Sequence, residues 1–348
     1  MHELWFWLVS VMVAIYVVMD GFDFGAGILH LFVAQTNEER REVLGAIGPF
    51  WDGNEVWLLA GGGAMFLAFP RVLASGFSGF YLAMWLVVWC LMLRGISIEF
   101  RSHLHDGLWR HFWDTTFTVS SFLLPVLFGA ALGNVLRGVP LDATGYFEMP
   151  LWSDFRTGLH PGILDWFTVL IGVFALVTVA AHGALFLIWK TEGAVQGRAR
   201  GLAMKLWSAV VVLWLLATYA TSVVNPAILA NYPHAPLAWL ASLIFLGGLA
   251  VVFIGTQQGK PLLAFLGSGA FILGLLAVSA ACVFPVMLRS TLDPAFSLTA
   301  HNASVGDHGL RTGLVWWLIG FPIAIGYLVI LFRFHRGKVK AAAEGEGY

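Results

Sequence analysis

Apolar runs of twenty residues or more recur along almost the whole chain, and their length is the tightest constraint on its fold. A helix rising about 1.5 Å per residue needs about 20 residues to cross the hydrocarbon layer of a bilayer. The 348 residues are 59% hydrophobic and only 11% charged, with a mean hydropathy of +0.81, whereas soluble domains carry about 25% charge. A membrane barrel would instead show segments of about ten residues with alternating polarity. The expected class is therefore an all-α polytopic membrane protein. Nine spans are read at 4–33, 50–70, 73–99, 113–136, 163–189, 206–229, 237–257, 262–288 and 314–333. The segment after Met1-His2-Glu3-Leu4 has no basic leader and is too long for a signal core, so it is expected to stay as the first helix.

Nine spans place the termini on opposite sides. With the N-terminus outside, the inner segments hold Arg40, Arg41, Arg101, Arg110, Lys190, Arg198, Arg200, Lys205, Lys260, Arg333, Arg336, Lys338 and Lys340. The outer segments then hold only Arg71, Arg137, Arg156, Arg289 and Arg311. The positive-inside rule favours that orientation, with a cytoplasmic C-terminus. A faint parallel repeat, Val135 to Asp142 against Met287 to Asp293, suggests two four-helix bundles plus one peripheral helix. The expected organisation is a first bundle at 1–140, an external loop at 141–162, a second bundle at 163–289, a second external loop at 290–313, and a ninth helix with a basic tail at 314–348.

Against this apolar background, ionisable residues inside the first three spans are the functional signal. Asp20, Asp23, Asp52, Glu55, Arg94 and Glu99 lie there, with Arg101 just beyond. A charge at the bilayer centre costs about 2.5–3.5 kcal/mol even on insertion scales. Asp20 with Asp23, and Asp52 with Glu55, are three residues apart and share helix faces. Asp20 falls about 24 Å along the first helix at 1.5 Å per residue, in its inner half. Interfacial snorkelling would account for Glu99 and Arg101, but the short Asp20, Asp23 and Asp52 side chains cannot reach far. The alternative is a string of acids leading inward from the cytoplasm, with Arg94 or Arg101 keeping part of it ionised.

Other side chains give weaker signals. Gly21, Gly25, Gly27 and Gly53 fit close helix packing. His182 reads as a hydrogen-bonded packing residue, because a haem between helices needs paired ligands at one depth. Cys90 and Cys282 lie in apolar spans without metal spacing, and Gly61-Gly62-Gly63 lacks the context of a phosphate loop. Trp51, Trp57, Trp85 and Trp89 are anchors or core, with Trp57 beside Glu55 also placed to line an apolar gas passage. A net charge of −1 gives no signal for nucleic acid.

Four segments together carry a resemblance: Asp20-Gly21-Phe22-Asp23-Phe24-Gly25-Ala26-Gly27, Trp51-Asp52-Gly53-Asn54-Glu55-Val56-Trp57-Leu58, Phe77-Ser78-Gly79-Phe80-Tyr81, and Gly133-Asn134-Val135-Leu136-Arg137-Gly138-Val139-Pro140. In this order they resemble subunit II of the cytochrome bd quinol oxidases. The resemblance implies a bacterial inner-membrane heterodimer that oxidises quinol and reduces oxygen to water, generating a proton gradient with protons drawn from the cytoplasm. It implies that two b haems and haem d are carried by the partner, subunit I, and that this chain alone holds no redox centre. It places Asp23 and Asp52 on a proton path, supported by Asp20, Glu55 and Arg101, and Trp57 at an oxygen entrance. A structural quinone or lipid on this chain is also implied, and a small single-helix third subunit is left open. Two other classes fit the residues: a proton-coupled transporter, and a structural subunit whose acids only pair with Arg94 and Arg101.

Overall fold

The structure is a computed structural model and describes residues 1–339. Lys340, counted above among the tail cations, lies outside the described residues. Twelve α-helices follow one another: α1 His2–Val33, α2 Asn37–Ile47, α3 Trp51–Ala68, α4 Pro70–Gly79, α5 Tyr81–Phe100, α6 Gly107–Arg137, α7 Trp166–Lys190, α8 Gly193–Val224, α9 Pro226–Asn231, α10 Pro236–Gln257, α11 Pro261–Val283 and α12 Asp307–Phe334. Strands β1 Val286–Leu288 and β2 Leu298–Thr299 pair antiparallel between α11 and α12.

Eight of these helices are long and apolar enough to span a membrane, and α3 with α4 forms a bent pair that brings the number to nine. The sequence places helices at 50–70 and 73–99; in the structure the second is divided. Phe69 leaves helical geometry, Pro70 restarts the chain at a first helical position, and α4 departs from α3 at 117°. Ser75 Oγ donates to the Gly145 carbonyl at 2.5 Å and Arg71 to that of Asn302 at 3.1 Å, so α4 lies against the loops that cap the bundle. A fresh helix, α5, then crosses. The connection after α1 also holds α2, which is too polar for a span. Its start is fixed by a capping box, in which Thr36 accepts from the Glu39 amide and Glu39 accepts from that of Thr36.

One end of the molecule, the cap, is made by the α3–α4 corner, the segment 138–165 and the β1–β2 hairpin. Arg137 bonds Asp165, Asn134 and the Gly138 and Gly162 carbonyls there, all within a buried knot. Asp165 also caps α7 by accepting from the Phe167 and Thr168 amides. The opposite end, the base, carries α2 and the α5–α6 turn.

The two halves of the chain meet where α7 packs on α1 and α6. Gly25 and Gly183 face each other at the α1–α7 crossing, and a methyl on either would overlap backbone atoms of the other helix. In lipid, where apolar burial between helices has little drive, such close approach supplies the packing energy. Around it Phe22, Phe50, Phe186 and Phe265 form an aromatic core, with Phe22 stacked on Phe186 at 4.2 Å. The last span, α12, packs on α3 and α1 and buries few of its residues.

Candidate functional site

Burial of Asp20 and Asp23 at zero exposure inside α1 demands partners, and α3 and α5 provide them. Arg94 of α5, itself fully buried, donates from Nη1 to Asp20 Oδ1 at 2.7 Å and from Nη2 to Glu55 Oε1 at 2.5 Å. Its guanidinium lies 4.4 Å over the Phe24 ring. Asp23 has no cation: Asn54 Nδ2 donates to its Oδ2 at 2.7 Å and to the Met19 carbonyl at 3.1 Å. The pair spacing seen in the sequence thus puts Asp20 and Asp23 toward α3 and α5, while Gly21 and Gly25 face α7.

Fully ionised, Asp20, Asp23 and Glu55 would set three negative charges against one arginine. Glu55 is 27% exposed, so it is the least enclosed of the three. Five further buried atoms have no protein partner among the described residues: Tyr16 Oη, Asp20 Oδ2, Asp23 Oδ1, Asn54 Oδ1 and Arg94 Nε. Buried polar atoms are almost always satisfied, by ordered water where protein does not reach. Four of them beside one guanidinium, together with its own Nε, concentrate unmet hydrogen-bonding capacity at one buried place.

Asp52 and Glu99 are exposed, at the base ends of α3 and α5. Arg101 belongs elsewhere. It donates from Nε to Asp114 Oδ1 at 2.5 Å and from Nη2 to Asn37 Oδ1 at 3.0 Å. The same fully buried carboxylate accepts from Arg40 at 2.8 Å and His30 Nε2 at 2.7 Å. The predicted single group is therefore two: an Arg94 set on α1, α3 and α5, and an Asp114 set that ties α1, α2, α5 and α6 at the base. Ten residues of α1, about 15 Å, separate Asp20 from His30.

Asp114 carries no signal in the sequence; His30 reads there only as a less secure second histidine at membrane depth, and Arg40 only as an inner cation. Asp114 sits next to the boundary at 113, where a charge reads as a helix end; α6 starts six residues earlier, at Gly107, with Asp106 as its cap. Asn54 stands within the Trp51–Leu58 segment, but nothing in the spacing marks it as the partner of Asp23.

Both buried histidines are engaged with neighbouring side chains. His182 uses both ring nitrogens: Nε2 donates to the Val18 carbonyl at 3.1 Å and Nδ1 lies 2.6 Å from Ser268 Oγ, with the ring stacked on Phe265 at 4.8 Å. His30 holds Asp114, and no group of three or more His, Cys, Asp or Glu suited to a metal occurs among the described residues. Trp57, 4% exposed, packs edge-on against Phe321 of α12 at 5.8 Å.

A profile described as cytochrome bd terminal oxidase subunit II matches residues 1–335. The chain belongs to that family. It is similar to the cytochrome bd ubiquinol oxidase subunit 2 of Bacillus subtilis, 33% identical over 345 residues, covering 97% of each chain. The cytochrome bd-I ubiquinol oxidase subunit 2 of Escherichia coli K12 is 31% identical over 354 residues, covering 93% of this chain and 91% of that one. A chain of the bd oxidase from Geobacillus thermodenitrificans shares the fold with a TM-score of 0.76 at 17% identity, over 96% of this chain and 98% of that one. The family member described here is thus a multi-pass membrane protein and one subunit of a terminal oxidase, with its buried acids on spans that this fold brings together.

Proposed function

We propose that this chain serves a quinol-oxidising, oxygen-reducing complex as its haem-free subunit, and that the Arg94 set takes protons from the cytoplasm toward the haems of the partner, subunit I. The carrying observation is Asp23: a carboxyl at zero exposure whose side chain has only a neutral amide for company and one oxygen with no partner. A carboxyl without a fixed countercharge can exchange a proton with water, whereas Asp20 is held by Arg94. Asp52 and Glu55 stand at the base, where they receive protons from solution, and Glu99 adds charge at the same mouth. Arg94 keeps the interior hydrated, and Arg101 fixes the base corner through Asp114. Electrons from quinol and protons from the opposite side then meet at oxygen, which builds a gradient.

The localisation that goes with this reading is the bacterial inner membrane, with the N-terminus outside, so that the base faces the cytoplasm as its basic residues require. Trp57, on α3 facing α12, stands where a lateral oxygen route would pass. An apolar crevice between α7 and α8, lined by Trp166, Leu170, Leu216, Tyr219, Ala220 and Val223, fits the tail of a structural quinone or lipid. Membership of an oxidase family disfavours a stand-alone transporter, and the reading left to exclude is a scaffold whose acids move no protons.

The deciding experiment replaces Asp23 by Asn in the whole complex and measures quinol-driven oxygen uptake together with the haem spectrum. Slowed uptake with full haem content is expected; parental uptake would leave the scaffold reading.

A further inference from the structure

Three buried polar atoms on α1 and α6 have no protein partner among the described residues: Asp23 Oδ1 and His30 Nδ1 on α1, and Ser121 Oγ on α6. Asp23, Gly27 and His30 are spaced by four and three residues, so they form one stripe of α1. Ser121 of α6 meets that stripe at Gly27, where a methyl would overlap its Cβ and Oγ. The glycine is what lets a hydroxyl sit against the α1 backbone, midway between the carboxyl and the imidazole. All three polar side chains have zero exposure. Apolar residues would fill such a contact without leaving hydrogen-bonding groups unmet, so three unmet groups on successive turns, beside the Phe117 ring that also reaches Gly27, call for ordered water.

The state of His30 follows from its neighbours. Asp114 is bound by Arg40 and Arg101 and acts as an acceptor only, so the proton of the neutral ring sits on Nε2 and the lone pair on Nδ1. Phe117 covers one side of the ring, edge-on at 5.3 Å. Arg40 is 22% exposed, so the cluster touches solvent at the base.

We propose that His30 and Ser121 are relay residues that feed Asp23 from the corner of α1, α2, α5 and α6, a second mouth beside Asp52 and Glu55. The inference rests on the proton-intake reading above. Water that enters beside Arg40 and passes the ring protonates Nδ1, and Asp114 steadies the resulting imidazolium through Nε2–H. The Nδ1 proton then passes through water to Ser121 Oγ, which releases its own proton onward to Asp23 Oδ1. Ring and hydroxyl return to their starting forms. Arg40 and Arg101, the other charges facing His30, oppose a long-lived positive ring and so favour onward transfer.

The test uses the complete oxidase in vesicles, with proton uptake from the cytoplasmic face and oxygen uptake followed across pH, and the haem spectrum as the measure of integrity. His30→Gln keeps a donor for Asp114 and removes the transferable proton; Ser121→Ala removes the hydroxyl. Each is expected to slow proton uptake severalfold, most at alkaline pH where protons are scarce, with the haem spectrum unchanged. The double variant should be no slower than the slower single one. Should His30→Gln fail to assemble, His30→Asn and Ser121→Ala carry the test. Parental uptake in these variants at every pH, with Asp23→Asn slow, overturns the relay and leaves the intake reading standing. Parental uptake in Asp23→Asn as well overturns both.

Discussion

Replacing Arg94 by Gln removes the only cation among the described residues that contacts Asp20 and Glu55, and its cost can be worked from the two bonds it breaks. Glu55 is 27% exposed, so its share resembles a surface pair, at most about 1 kcal/mol. Asp20 is fully buried, and breaking a buried pair by deleting one partner costs about 3–5 kcal/mol because the remaining charge is uncompensated. The lost contact with the Phe24 face adds about 0.5–1 kcal/mol. Water within the polar interior relieves part of this, so a net loss of about 3 kcal/mol is expected, roughly a hundredfold in the folded-to-unfolded ratio. At about 2–4 °C per kcal/mol, the thermal midpoint of the purified complex should fall by roughly 6–12 °C. The double variant Arg94→Gln/Asp20→Asn removes charge from both sides and should recover at least about 1.5 kcal/mol, the signature of coupled partners. The assay is thermal unfolding in detergent of parent, both single variants and the double variant. A single-variant loss below about 0.5 kcal/mol, or simple additivity in the double variant, would refute the claim that this ion pair holds α1 to α5.

Two further outcomes are expected. Gly25→Val, at the α1–α7 crossing, forces backbone against backbone; overpacking costs about 1–3 kcal/mol even where side chains can yield, and here they cannot, so assembled complex should be lost from membranes while Gly62→Val, at an open position, is retained. Glu39 is held down to about 2 from its ordinary 4.5 by the hydrogen bond from Arg198, with the capping amides of Gln35 and Thr36 adding to it. A carboxyl whose folded value is depressed stabilises above its unfolded value and loses that contribution as pH falls through the folded one. The α2–α8 tie should therefore weaken between about pH 4.5 and 2, read as rising amide exchange in α2, and Glu39→Gln should abolish that pH dependence.

The limits of sequence reading have one physical origin here. Hydropathy is a property of a segment alone, so the spans and the anomalous acids were legible. The broken turn at Pro70 and the capping box at Thr36 and Glu39 were also local signals, but a threshold tuned to long apolar runs passes over an eleven-residue amphipathic helix and merges α4 into α5. Partnership is not local. Arg94 and Arg101 are seven apart on one helix and both lie near acids in the sequence, yet one binds Asp20 and the other Asp114.

What separates the two arginines is the neighbour that each meets, because α5 runs from a deep contact with α1 and α3 to a base corner shared with α2 and α6. The consequence reaches function. An arginine beside every acid would lock the whole set as ion pairs, as a scaffold needs. Sending Arg101 to Asp114 leaves Asp23 with an amide and unfilled hydrogen-bonding capacity, in a place where folding alone would favour neither. One buried acid without a countercharge, beside another held by three basic side chains, is the arrangement that the proposed proton intake requires.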